Sequence, residues 1–257
     1  MNKDYFQIHM GKVTPEFASC WRCAGSFLNS RGDNRISWIK AELTPPFLEH
    51  LSFRIGNQLF FIRLVDVDQN ANFPGTIDGL RMISEACGGF GCLMPMKSIA
   101  GAWEVVESGW GLVDITNYKT IDPIDKISDE LVEMTKWEIS DFAVQVVKNY
   151  IVKKLGYELM SSQSNPDVHP SIWFVGEGGP EFVIVNALLC NQDIKDLSYD
   201  LDVIAQQCSK VSSVGHLATV RLRNAEQIDD DATAVRPMFR GHAAYVEFNG
   251  LKSLAKN

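Results

Sequence analysis

The sequence predicts an α/β protein, a mixed sheet with helices on both faces. Runs rich in branched and aromatic residues, such as Gln58–Val67 and Glu181–Leu189, alternate with stretches whose apolar residues recur every three to four positions. Clusters of Gly, Pro and Asn separate the two kinds of run. Ile172–Val175 and Phe182–Val185 are apolar at successive positions, the pattern of strands covered on both sides.

Taken in order, Thr14-Pro15-Glu16 opens a helix: a cap, a Pro at the first position and an acid near the positive end of the dipole. The helix is expected to run to about Asn29, and Arg31-Gly32-Asp33-Asn34 reads as a turn. Pro45-Pro46 blocks helix again. Gln58–Val67 reads as a strand and Asn70–Gly75 as turn material. Ile77, Leu80, Ile83 and Cys87 then mark a helix that Gly88-Gly89 ends, and Phe90–Met94 is the next strand. This is a βαβ unit. Trp103–Val106 and Trp110–Ile115 are expected to pair as a hairpin around Ser108-Gly109, and Thr120–Ile127 reads as a connector. Beyond it, Ile139, Phe142, Ala143, Val146, Val147, Tyr150, Ile151 and Leu155 form a helical stripe, capped by Gly156. Tyr157–Ser161, Ser171–Val175 and Glu181–Leu189 are strands, the last two joined at Gly178-Gly179-Pro180. Ser198–Cys208 is a helix opened by Ser198 or Asp200, His216–Arg223 a strand, Asp229–Asp231 an acidic loop, and Arg236–Phe239 with His242–Phe248 the closing strand. The boundary falls between residues 1–125 and 126–257. No internal repeat of solenoid period and no low-complexity segment is visible.

Lys plus Arg number 24 and Asp plus Glu 32, a formal charge of −8 among 257 residues. Acids outnumber bases in both parts, whereas a nucleic-acid binder usually shows a basic face. No apolar run approaches the length of a membrane span, and the first residues hold no signal-peptide stretch. The expectation is a cytoplasmic protein with reduced thiols.

The order of elements from residue 130 to 250, and the phrase Asn165–Ala187 (NPDVHPSIWFVGEGGPEFVIVNA), resemble the core of the restriction-endonuclease-like superfamily, known for its PD-(D/E)xK motif. The resemblance covers roughly the C-terminal half. It implies an Asp after a Pro on the second core strand, then an acid, a spacer and a Lys on the next, holding a divalent cation. Here Ser171 follows Pro170, Ile184 stands at the acid and Asn186 at the Lys. These groups cannot supply the charged hard oxygens that Mg²⁺ takes. What remains is a nuclease-like scaffold with a degenerate motif.

Four constellations offer chemistry. Glu138, Asp141 and Gln145 share one side of the long helix, and Asp167, His169 and Glu181 lie near the central strands. A relocated metal site would draw its catalytic carboxylates from Glu138, Asp141, Asp167 and Glu181, with a divalent cation as cofactor. Solvated helix faces and turn capping are the competing reading. Cys20 and Cys23, spaced CxxC, with Cys87 and Cys92, have spacings that zinc ligands use, but both pairs touch helical stripes, where cysteine packs as an apolar residue. Arg221 and Arg223 share one face of a strand, and with Arg236 and Arg240, beside His216 and His242, would make an anion site. Pairing with Glu226 and Asp229–Asp231 competes with that. Trp103 and Trp110, Trp137 and Trp173 read as core, the first two alternatively as a partner surface. GxSxG, HExxH and phosphate-loop patterns are missing. The sequence therefore favours a non-catalytic module, needing no cofactor, that binds a protein partner or self-associates, over a metal-dependent nuclease or an anion-binding protein.

Overall fold

The computed structural model describes residues 14–39, 51–189, 192, 200–226 and 237–254. The chain is α/β, with two mixed sheets, and divides into two compact units, Met1–Ile127 and Ser128–Asn257. The expected Pro45-Pro46 break and the Asp229–Asp231 loop lie outside the described residues.

In the first unit, α1 (Pro15–Gly32) starts where Thr14 Oγ1 accepts the Phe17 N–H, and ends at Asp33, whose backbone is left-handed at φ 46°. It runs three residues past the expected end because Arg31 and Gly32 stay helical. β1 (Ile36–Trp38), β2 (Leu51–Ile55) and β3 (Gln58–Asp66) follow as an antiparallel meander. α2 (Ile77–Ala86) then crosses to β4 (Phe90–Ile99), which lies parallel to β3. β5 (Ala102–Val105) and β6 (Val113–Asp114) both pair antiparallel with β4. The βαβ unit is thus present. The hairpin around Ser108-Gly109 is not: β4 runs on to Ile99, and its own turn at Ala100-Gly101 delivers β5. Phe60, Ile62 and Leu64 of β3 pack with Phe17, Trp21, Ala24 and Leu28 of α1. The opposite face of β3 and β4 is covered by α2, where the Ser84 hydroxyl overlies Gly91.

The second unit opens with α3 (Lys136–Asn149), which continues as a π-helical turn, Tyr150–Leu155, and stops at Gly156, φ 75°. β7 (Glu158–Ser162), β8 (Ile172–Gly176) and β9 (Gly179–Leu189) form a second antiparallel meander. α4 (Leu201–Cys208), capped by the Asp200 carboxylate, leads to β10 (Gly215–Asn224), parallel to β9. β11 (Ala244–Phe248) and β12 (Lys252–Ser253) pair antiparallel with β10. Alternation along β9 splits its two faces. Val183 and Val185 pack with Val144 and Val147 of α3, while Phe182 and Ile184 pack with Ile204 and Cys208 of α4. Helices therefore cover both faces of this sheet, as its continuous apolar strands required.

The stripe expected on α3 is rotated. Phe142 and Leu155 are exposed, and the buried line runs through Glu138, Asp141, Ala143, Val144, Val147 and Ile151. The helix turns this way because Glu138 and Asp141 both find buried partners.

Candidate functional site

The four acids that a relocated metal site would need to bring together form no such group. Glu138 closes a capping box with Thr135 and forms a two-pronged ion pair with Arg240, Nε to Oε1 at 2.8 Å and Nη2 to Oε2 at 2.9 Å. Both partners are buried. Asp141 accepts the hydroxyl hydrogen of buried Ser164. Glu181 sits 2.7 Å from His216 Nε2 across the start of the parallel pair. Asp167 is exposed in a turn that Asn165 Oδ1 holds by accepting the Asp167 N–H. Gln145 is half-buried. His169, in the same loop, has its imidazole held below the ordinary range by burial, with Asp167 opposing. Each acid is committed to a local partner or to solvent, and among the described residues no group of three His, Cys, Asp or Glu side chains is placed to hold a metal ion.

The positions matched to the nuclease motif are structural. The Ser171 hydroxyl accepts the Val185 N–H at 3.2 Å, Ile184 is core beneath α4, and Asn186 is buried. The cysteines also separate into packing roles. Cys20 and Cys92 are fully buried in the first core, and burial pushes the Cys20 thiol up to about 12 and raises Cys92 further. Cys23 donates its S–H to the Trp103 carbonyl, and Cys87 is buried. Trp110 is buried and Trp103 packs against the same core.

The arginine set divides as well. Arg240 belongs to the buried pair with Glu138, because its segment is laid on the approach to α3: Met134 N–H donates to Met238 O and Arg240 N–H to Val132 O. Arg236 lies outside the described residues. Arg221 and Arg223 remain together on β10. In register, Arg221 faces Glu247 and Arg223 faces Tyr245 across β11. The Arg223 guanidinium lies over the Tyr245 ring, 5.0 Å from its centroid, and Arg221 Nη1 donates to the Gln192 carbonyl.

These side chains line a cavity of about 230 Å³, together with Leu222, Val246 and Glu247. Alternation places Thr219, Arg221, Arg223, Tyr245 and Glu247 on the face that α4 covers further back, and brings Asn186 beside Thr219. Asn186 Nδ2 and Thr219 Oγ1 are buried and have no hydrogen-bond partner among the described residues. β11 is the sheet's edge. Among the described residues its only strand partner is β10, and Tyr245 and Val246 are exposed at 53% and 41%. Sequence reasoning placed Arg221 and Arg223 on one face but missed Tyr245, whose signal was its alternation with Glu247 in a closing strand. Among the described residues the arrangement offers an edge strand paired on one side only and a stacked Arg–Tyr pair.

Residues 137–254 match DUF8840, a domain of unknown function. No curated protein and no solved structure matches the chain. Among the described residues no helix is long and apolar enough to cross a membrane.

Proposed function

We propose that the chain is a non-catalytic binding module whose second unit takes an extended, acidic segment of a protein partner along β11. The observation that carries this reading is that β11, beside Arg221 and Arg223, has no second strand partner among the described residues. Strand addition satisfies the unpaired edge backbone, and side chains on alternate positions give specificity. An acidic side chain on the α4-side face would meet the exposed Arg223 guanidinium. A nuclease reading lacks its metal-holding group among the described residues, and the acids it needs stabilise the fold instead. We assign the cytosol as its compartment, supported by the reduced thiols of Cys20, Cys23, Cys92 and Cys208.

The test is fluorescence anisotropy with a labelled octapeptide of alternating Val and Glu. Binding should be saturable and weakened by salt. Arg223→Glu, at an exposed position, should weaken it about tenfold, equivalent to about 1.4 kcal/mol. Equal binding by wild type and Arg223→Glu would overturn the reading. So would Mg²⁺- or Mn²⁺-dependent cleavage of DNA or RNA that Asp141→Asn abolishes.

A further inference from the structure

Residue by residue, the two sheets have one register. In each unit a Thr-capped helix precedes three antiparallel strands, a second helix, a strand parallel to the third, and two strands on that strand's far side. The β2–β3 and β8–β9 hairpins both close on two-residue turns, at Ile55–Gln58 and Gly176–Gly179. Ile62 pairs with Leu51 on one side and Cys92 on the other, and Val183 pairs with Ile172 and His216. Cys92 then faces Asp114 and His216 faces Ser253. Four residues on, Met96 faces Val105 and Val220 faces Phe248. The Ile115 N–H donates to Gly91 O at 3.0 Å, and the Leu254 N–H to Gly215 O at 2.8 Å.

One constant step in residue number carries Thr14, Leu51, Ile55 and Ile62 onto Thr135, Ile172, Gly176 and Val183. A second carries Thr76, Leu80, Ser84 and Gly91 onto Asp200, Ile204, Cys208 and Gly215. The two steps differ by three, the difference in the number of residues that precede the second helix. The caps coincide, and Leu80 with Ser84 are the buried residues of α2 as Ile204 with Cys208 are of α4. Phe61 faces Gly91 where Phe182 faces Gly215. Neither glycine has room for a Cβ, which would lie 2.4 Å from Ile115 Cδ1 or 2.2 Å from Phe182 Cζ. General preferences of α/β proteins account for the strand order. They do not account for shared register, shared caps and a shared tight glycine.

We infer that residues 14–115 are a second, diverged copy of the domain matched over residues 137–254, and that β5 is its docking edge, equivalent to β11. The second clause rests on the function proposed above. The divergence is concentrated at two places. Phe17 and Cys20 stand in the first copy where the second has Glu138 and Asp141, so the buried polar pairs belong to one copy only. At the edge, Lys97 faces Glu104 where Arg221 faces Glu247, keeping the charges, but Ile99 faces Ala102 where Arg223 faces Tyr245. Ile99 is 49% exposed and Ala102 exposed, so the β5 edge lacks the stacked cation and holds the same acidic segment too weakly to be occupied until that row is restored.

Two measurements on the full chain test this. Backbone NOEs should give the cross-strand contacts Cys92–Asp114 and His216–Ser253, and the neighbouring contacts Ile115–Gly91 and Leu254–Gly215. A different register in either unit would overturn the shared ancestry whatever the chain binds. Ile99→Arg with Ala102→Tyr then installs the missing row. Native mass spectrometry with the Val–Glu octapeptide should rise from one peptide per wild-type chain to two per variant chain. A folded variant that still takes one would overturn the equivalence of the edges. A wild type that takes none would overturn the proposed function instead, leaving the NOEs to decide the copies.

Discussion

Arg240→Met removes one half of a buried ion pair in the second unit. Arg240 is 4% exposed and Glu138 5%, so the substitution strands a carboxylate away from water. Breaking a buried pair from one side costs about 3–5 kcal/mol. Glu138 keeps two other donors, the Thr135 N–H at 2.9 Å and the Thr135 hydroxyl at 3.1 Å, which places the loss near the lower end, about 3 kcal/mol. In a unit of this size that is a fall in Tm on the order of 10 °C. Urea unfolding followed by circular dichroism should show a lower midpoint with an unchanged slope. Glu138→Gln with Arg240→Met removes the stranded charge while Gln still accepts the Thr135 N–H, so the double variant should recover a large part of the loss. Because the guanidinium pair with Glu138 anchors the segment that leads into β11, octapeptide binding should weaken in Arg240→Met. A loss below about 1 kcal/mol, or a double variant less stable than Arg240→Met, would refute the view that this pair is the clamp of the fold.

Gly91→Ala and Gly215→Ala should each cost about 1–3 kcal/mol through overpacking, and Phe182→Leu should relieve the second but not the first; urea midpoints of the wild type, the three single variants and the two double variants decide it. Thiol labelling at pH 8, read by peptide mass spectrometry, should leave Cys20, Cys92 and Cys208 unmodified until the chain unfolds, since the thiolate is the nucleophile and burial holds Cys20 at about 12 and Cys208 at about 11. These thiols ionise near 9.0 when unfolded, so their contribution to stability is fully present below pH 9 and lost as the pH rises towards 12. His169 runs the other way: its lowered folded value means that stability falls as the pH drops below 6.5, and His169→Gln should flatten that part of the profile.

Most of the fold was legible because its signals are local. Thr14-Pro15 opened a helix, Gly156 closed one, and the doubly apolar runs at Ile172 and Phe182 marked strands covered on both faces. The errors came where a distant partner decided. Glu138 and Asp141 read as a solvated face because Arg240 and Ser164 lie far away in sequence, although the capping box from Thr135 to Glu138 already pointed one carboxylate towards the backbone. Trp103 and Trp110 suggested a hairpin with each other, but the tighter turn at Ala100-Gly101 claimed β5 first. The doubling of the chain was invisible for a physical reason. Strand register is set by hairpin length and by which positions face the core, and Cys92 and His216 hold equivalent register positions without resembling each other. Of the site, Arg221 and Arg223 were readable from their spacing on one strand, whereas Tyr245 acquires its role only when β11 is paired beside them.

The central claim is that the second unit docks an extended segment along β11. Photocrosslinking from position 245, with benzoylphenylalanine replacing Tyr245 in the full chain, tests it most directly. The Val–Glu octapeptide should be captured at that position, and competed by unlabelled octapeptide. Capture from a photoprobe placed instead at exposed Met82 of α2, with none from position 245, would contradict the account.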